Sequence, residues 1–486
     1  MRRQIWLAAA CGAALALVCE SGVPGLVDPD GFSHLAYARR LWQSGFSLRG
    51  HPFLPYTILG QSNVDLWLGF HWLLVPFTAL SDLWGARLAG ACIAACATAG
   101  LALALLRVGG PWLLSLAPWG VSLLFAERGC NARPAHLTIP LVLAELLAGA
   151  GLVHPGWALG AAFAHGLLHL SAPLSPLFAL LGLAGARLAR DKGSPRALLW
   201  SIAGLALALL VRPDRALYPA LAALISTTAL SARLPHTGAE LLFGGPLFFL
   251  GQTWPALALL AFALWRMRGE PWRIPARSAA LIGAAAGALL CIGNLRFVDY
   301  CVPLMVLAVG AFWRRTLLPA APLALLFALH LPQIWRDGSA YIDPPETYAR
   351  IARAVRARVP PGELIFTDDP FVTEVFLSVL PEYRYIVAYD PGLLWLASPP
   401  LFWLWHHGAT EAIECASRDC PPQPASGAAA ARVLGEFRTR WAITSMPRGR
   451  RSMQEVMAGD GERFTFVALA PGSAYGLYFF ELREKQ

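Results

Sequence analysis

Up to about residue 332 the chain alternates long apolar runs with short polar breaks, and the runs approach the length that carries a helix across a bilayer, about 20 residues. They lie near 5–20, 84–106, 111–126, 136–153, 157–170, 173–188, 197–211, 247–265, 277–294, 298–313 and 316–332. This pattern predicts an α-helical polytopic membrane domain over residues 1–332 with about 11–13 spans, interrupted early by a long outer loop over residues 21–83. Past Pro332 the pattern shortens. Residues 344–359 (PPETYARIARAVRARV) read as an amphipathic helix, followed by strand candidates at 363–367, 385–389, 441–444, 464–469 and 475–482. Helices near 371–380 and 392–407 alternate with them, so residues 333–486 predict a soluble α/β domain.

Two apolar stretches are left out of the span count. Residues 65–80 (DLWLGFHWLLVPFTAL) carry Asp65, His71 and Pro76 among aromatics, which suits a helix lying in the interface. Residues 216–230 end near Arg233 and His236, and either lie flat or cross and are matched by a re-entrant piece at 238–250.

Charge then sets orientation. Arginines cluster at Arg2-Arg3, Arg107, 187–196, 266–273 and Arg314-Arg315, always between apolar runs. With an uncleaved first span and the N-terminus inside, eleven spans place every cluster on the inner side, as the positive-inside rule asks. The C-terminal domain then lies outside, and the chain belongs in a bacterial inner membrane.

Composition agrees with this and removes whole classes. The 486 residues are 56% hydrophobic and only 14% charged, against about 25% charged in soluble domains, so an ordinary soluble enzyme and a disordered chain are both excluded. The net charge is +9, but the basic residues mark helix ends rather than a nucleic-acid patch, and no nucleic-acid partner is expected. Most of the nine cysteines lie in or beside apolar runs as small filler. Cys415 and Cys420 sit instead in a polar loop and suit a local disulfide in an oxidising compartment.

Once the loops are placed, the scarce polar residues become informative. The first outer loop opens with Val27-Asp-Pro-Asp-Gly-Phe-Ser-His-Leu-Ala-Tyr-Ala-Arg-Arg40. Asp28 and Asp30 stand at the mouth of the membrane, where an unpaired carboxylate is costly. With His34 they can hold a divalent cation or share general-base work, or else an aspartate simply caps the following helix. Further outer-loop groups are Glu127 to His136 with Arg133, the pair His165 and His169, Arg212 to Arg215, and Asn294 to Tyr300 with Arg296. If these loops converge above Asp28, carboxylates beside arginines suit a phosphate-bearing, lipid-linked substrate. Each group also has a plain reading: His165 and His169 as hydrogen bonds inside the bundle, and Arg212 with Asp214, or Arg296 with Asp299, as local pairs. In the tail, Asp368-Asp369-Pro370 follows the first strand, where α/β ligands often bind, yet a helix cap explains it equally.

The run DPDGFSHLAYARRL resembles the first outer loop of the GT-C superfamily, membrane glycosyltransferases that use polyprenyl-phosphate sugars and include the oligosaccharyltransferase catalytic subunit and the protein mannosyltransferases. Pro52 to Gly60, Asp65 to Leu74, Ala132-Arg-Pro-Ala-His136 and Arg296-Phe-Val-Asp-Tyr-Cys-Val-Pro303 are similar to other outer-loop segments of bacterial members. The resemblance implies that Asp28 or Asp30 is a catalytic base or ligates a metal such as Mg2+ or Mn2+, and that Arg296 faces the donor phosphate. His34, Arg40, Arg133 and Arg212 complete the candidate substrate-binding set. The second acidic motif of the oligosaccharyltransferase subunits is missing, Glu127 and Arg133 standing there instead.

The expected function is an inverting glycosyltransferase that moves a sugar from a polyprenyl-phosphate donor to an extracytoplasmic glycan, lipid or protein acceptor. The alternatives are a transporter or flippase of lipid-linked substrates, and an inactive GT-C relative acting in envelope assembly. Few ionisable residues in mid-span and no visible internal repeat count against transport.

Overall fold

In the computed structural model, which describes residues 1–230, 245–266, 272–313, 320–341, 345–445, 453–470 and 476–483, the apolar runs fold as helices. α1 (Arg2–Ser21) leads into the first loop, which holds α2 (Asp30–Gln43), α3 (Ile58–Ser62) and α4 (Leu68–Leu74). The chain re-enters the bundle as α5 (Asp82–Arg107), followed by the short α6 (Ala117–Val121) and α7 (Leu123–Gly129). Next come α8 (Pro134–Gly149), α9 (Gly156–Leu168), α10 (Ser175–Leu188), α11 (Pro195–Val211) and α12 (Tyr218–Leu230). The last bundle helices are α13 (Gly245–Arg266), α14 (Pro275–Gly293), α15 (Val298–Phe312) and α16 (Ala320–Tyr341). Among the described residues five stretches are long and apolar enough to cross a membrane: Arg2–Ser21, Asp82–Arg107, Gly245–Arg266, Pro275–Gly293 and Leu295–Phe312. The protein is a multi-pass membrane protein.

At the centre is α15, whose every residue is buried. Lipid offers no hydrophobic drive for helix association, so close approach between small residues matters more. α8 and α10 show it: a Cβ at Gly149 would meet the backbone of Ala179, and one at Gly182 the carbonyl of Leu146.

The span expected over 111–126 is a correction. It folds as a 3-10 turn (Trp112–Leu116), α6 and α7. Pro118 can only sit in the first turn of α6, and Ser122 turns extended to cap α7 by accepting the Phe125 N–H at 3.2 Å. The stretch 65–80 is also short, α4 running into the 3-10 turn Val75–Ala79. Residues 216–230 contain α12, while Arg233, His236, residues 238–244 and Arg314-Arg315 lie outside the described residues. Residues 245–250 of the expected re-entrant piece open α13.

In the tail, α17 (Pro345–Arg358) precedes β1 (Leu364–Thr367), α18 (Pro370–Val379) and β2 (Arg384–Tyr385). α19 (Gly392–Ala397), α20 (Pro399–Glu411) and α21 (Gly427–Glu436) lead to β3 (Trp441–Ser445), α22 (Met453–Gly459), β4 (Phe464–Ala470) and β5 (Leu477–Leu482). The sheet order is β2-β1-β3-β5-β4, with β1 parallel to both neighbours and β5 antiparallel to both of its own. The single helix expected over 392–407 breaks because Ser398 is extended and caps α20, which Pro399 opens. The strand expected at 385–389 shrinks to Arg384–Tyr385. The boundary expected at 332 falls inside α16, which runs on to Tyr341.

The tail sits on the first loop. Phe32, Tyr37 and Phe53 share one apolar core with Tyr348, Ile351 and Phe376. The Phe53 carbonyl accepts the Tyr385 N–H at 2.8 Å, and the Tyr56 hydroxyl donates to the Phe437 carbonyl at 2.9 Å. Loop 21–83 and the α/β region therefore lie on the same side of the bundle. Arg2 and Arg3 begin α1 and Arg107 ends α5, the helix ends remote from that loop.

Candidate catalytic site at the first loop

Directly after α1 the chain is tied down by Arg87 of α5, whose guanidinium donates to the Val23 and Gly25 carbonyls at 2.7 and 2.8 Å. Asp28 then does two things. Its Oδ1 accepts the Asp30 N–H at 2.9 Å, which turns the chain into α2, and its Oδ2 pairs with Arg133. The turn into α2 and the ion pair thus use different oxygens of one carboxylate. Arg133 precedes Pro134, the first residue of α8, and is extended as a residue before proline tends to be. From there its Nη2 also lies 3.0 Å from Asp30 Oδ2. One guanidinium bridges two carboxylates.

A third carboxyl joins them from the tail. Glu374 of α18 is fully buried. Burial, with Asp30 and Asp28 beside it, pushes its proton affinity well above the usual glutamate range. Sequence reasoning missed it, although a lone glutamate inside the apolar helix PFVTEVFLSV is the signal that was there. Ser378, one turn further along α18, donates to Asp82, which in turn pairs with Arg39 of α2. Asp28 and Asp30 are oxygen donors of the kind Mg2+ or Mn2+ prefers. The Arg133 guanidinium, however, already takes the position between them that such a cation needs, so the cluster as built does not fit a resident metal.

One turn along α2 from Asp30, His34 begins a buried chain of hydrogen bonds. His34 Nδ1 lies 3.0 Å from His71 Nε2, and His71 Nδ1 lies 2.8 Å from Asp65 Oδ2. Arg212 and Asp214 secure this chain from behind. Asp214 accepts the Asp65 N–H at 3.1 Å, Arg212 donates to the Asp65 carbonyl, and the two pair at 2.8 Å. Burial opposes charge on Asp65, but His71, its hydrogen bond, His51 and the Trp67 N–H outweigh it and hold the carboxyl below its usual value. Burial drives His34 well below an ordinary histidine, helped by His71, His51, Arg133 and His169. His51 falls to about 3, again chiefly by burial. Its ring lies tilted against that of Tyr37, with 4.5 Å between centroids.

The structure therefore brings together Asp28, Asp30 and Arg133, with His34 adjoining on α2. It disperses the other candidates. Arg40 packs its guanidinium 4.3 Å from the Phe53 ring centroid. Arg212 is buried behind Asp65, as the local-pair reading with Asp214 allowed. Arg296 meets Asp390 of the tail at 3.2 Å. The local pair of Arg296 with Asp299 is corrected: both Asp299 oxygens accept from Arg128, at 2.8 to 3.1 Å. His165 hydrogen-bonds Ser175 and Ser171, and His169 bonds Ser171, which Tyr300 also contacts. That is the plain reading of the pair. In the tail, Asp369 caps α18 by accepting the Phe371 N–H at 2.8 Å and Asp368 accepts from Ser445, so capping accounts for that motif. Cys415 and Cys420 form a disulfide.

No protein-family profile matches the sequence, and no curated protein matches it. Solved structures do. The crystal structure of ArnT from Cupriavidus metallidurans bound to undecaprenyl phosphate superposes with a TM-score of 0.56 at 14% identity, covering 97% of this chain and 97% of that one. Its apo state gives 0.57 at 13% identity, over 98% and 97%. At such identity the likeness speaks for the fold alone: over nearly its whole length this chain shares the fold of ArnT.

Proposed function

We propose that the protein is a membrane glycosyltransferase that moves a sugar from a polyprenyl-phosphate donor to an acceptor outside the cell membrane. The observation that carries this is the cluster of Asp28, Asp30 and Arg133, set on the first loop at the end of α1 and roofed by α18. Support also comes from the fold shared with ArnT, one structure of which holds undecaprenyl phosphate. The arginines at the remote ends of α1 and α5 favour the loop and the tail lying outside.

Chemically, the acceptor oxygen attacks the anomeric carbon while the bond from that carbon to the phosphate oxygen breaks. The electron pair of that bond leaves with the polyprenyl phosphate, and the acceptor loses its hydroxyl proton. Arg133 attracts the phosphate and neutralises its growing charge. Asp28 and Asp30 orient the acceptor hydroxyl, and their negative charge stabilises the cationic character that develops on the sugar ring. No step passes through a metal, so transfer persisting in EDTA is expected.

The test is purified protein with a radiolabelled polyprenyl-phosphate sugar and an envelope extract. Label should move to an acceptor, and Asp28→Ala with Asp30→Ala should abolish the transfer. Lipid scrambling in vesicles without any transfer overturns this function in favour of a flippase, and transfer that survives the double substitution overturns the site.

A further inference from the structure

The acceptor's proton needs a destination, and the geometry points to one that rests on the transferase reading above. Asp65, His71 and His34 form a line whose hydrogen-bond directions are fixed by chemistry. An ionised carboxylate only accepts, so His71 Nδ1 donates to Asp65 across 2.8 Å. A neutral His71 then accepts at Nε2, so His34 Nδ1 is the donor across 3.0 Å. Every nitrogen in the line but one is engaged. The open end is the lone pair on His34 Nε2, to which no hydrogen bond is made among the described residues.

We propose that His34 is the general base of the transfer. Its Nε2 takes the acceptor hydroxyl proton, its Nδ1 passes a proton to His71 Nε2, and the positive charge comes to rest on His71 beside Asp65. One proton enters the line and one imidazolium results, so the step balances. His34 touches the acceptor, while His71 and Asp65 are positioning residues that set its tautomer and receive the charge.

The surroundings fit such a base. His34 stands one turn from Asp30 on α2, near enough for Arg133 to act on its charge. The charged or titratable groups acting on it are His71 from α4, His51 from the first loop, Arg133 from the start of α8 and His169 from the end of α9. Aromatic neighbours are Trp67 and Phe70, whose ring centroids lie 5.1 and 5.0 Å away edge-on, and Tyr389 from the tail at 5.5 Å. Burial comes first and all four named groups can carry positive charge, so His34 stays neutral and keeps its lone pair at neutral pH. Arg212 and Asp214, by holding the Asp65 backbone, fix the far end of the line. This gives a role to the buried pair of Arg212 and Asp214.

The experiment compares wild type, His34→Gln and Asp65→Asn for label transfer across pH. His34→Gln should lower kcat by about 100-fold or more, the usual worth of a general base, with the donor KM little changed and the fall of kcat at acid pH gone. Asp65→Asn should keep part of the rate and move that acid limb to lower pH, because imidazolium loses its carboxylate. Added imidazole should restore turnover to His34→Gly. A His34→Gln variant with kcat within threefold of wild type and the same acid limb overturns the proposal while leaving the transferase reading intact. Wild type that transfers no sugar from any such donor overturns both. Should His34→Gln fail to fold, nitrogen NMR of histidine-labelled wild type decides: a proton on His34 Nε2 rather than Nδ1 overturns the relay.

Discussion

Two clusters of carboxylate and guanidinium flank the short segment from Arg128 to Arg133, and they are built to opposite plans. Arg128, with His136 Nε2 also 3.8 Å from the carboxylate, meets Asp299 with both carboxylate oxygens accepting. Their side chains are only 7% and 1% exposed. Arg133 instead serves two aspartates, 19% and 23% exposed, with Glu374 added from the tail. The first cluster is closed and neutral. The second has more acids than bases and keeps contact with solvent. A buried pair of this kind holds helices in place. An incomplete one costs the fold something, and under the proposed function it is the one that meets substrate.

That contrast can be broken experimentally. Asp28→Asn with Asp30→Asn should lower transfer by at least about 1000-fold, since both oriented charges facing the sugar are lost, yet should leave the melting temperature in detergent within a few degrees of wild type. Arg128→Ala should do the reverse. It strands Asp299 as an uncompensated charge inside the bundle, a loss of about 3–5 kcal/mol, read as a large drop in thermal stability. If Arg128→Ala stays as stable as wild type, or the double asparagine variant unfolds, the division into structural and functional clusters fails. A finer cut comes from Arg133→Lys. A single ammonium cannot span two carboxylates and still present a flat fork to phosphate. Transfer should drop about 10- to 100-fold, mostly as a raised KM for the lipid donor, with stability barely moved.

Much of this contrast could be read from the sequence, and the rest could not, for reasons of distance along the chain. Asp28 and Asp30 stood out because charge is so sparse around them, and Arg133 because it follows an apolar run on the same side. The apolar runs marked most bundle helices, except where Pro118 and Ser122 broke the stretch 111–126 into short pieces. Arg128 and Asp299 are 171 residues apart, so only packing pairs them, and the local partner Arg296 looked as good. His34, His71 and Asp65 were all visible, but as a loop residue and the marks of an interfacial helix. Their alignment needs α4 folded against α2. Glu374 sits in another region altogether. Nothing in periodicity says that α18 will roof the first loop, and its role follows from that docking.

The smallest expected effect isolates this roof. Glu374 is an acid whose proton affinity is raised in the folded protein by burial and by Asp30 and Asp28. Such a group gives its full stabilisation below its unfolded value of about 4.3. That contribution is lost as pH rises toward the folded value, because ionising the buried carboxyl against two aspartates is opposed. Wild type should therefore lose stability from about pH 5 upward. Glu374→Gln has the same shape and no proton to lose. It should melt like wild type near pH 4 and a few degrees higher at pH 8, with the gap widening steadily between. Parallel melting curves across that range would show that α18 does not bring a third carboxyl to the open cluster, and the acid excess that separates it from the Arg128 pair would shrink to Asp28 and Asp30 alone.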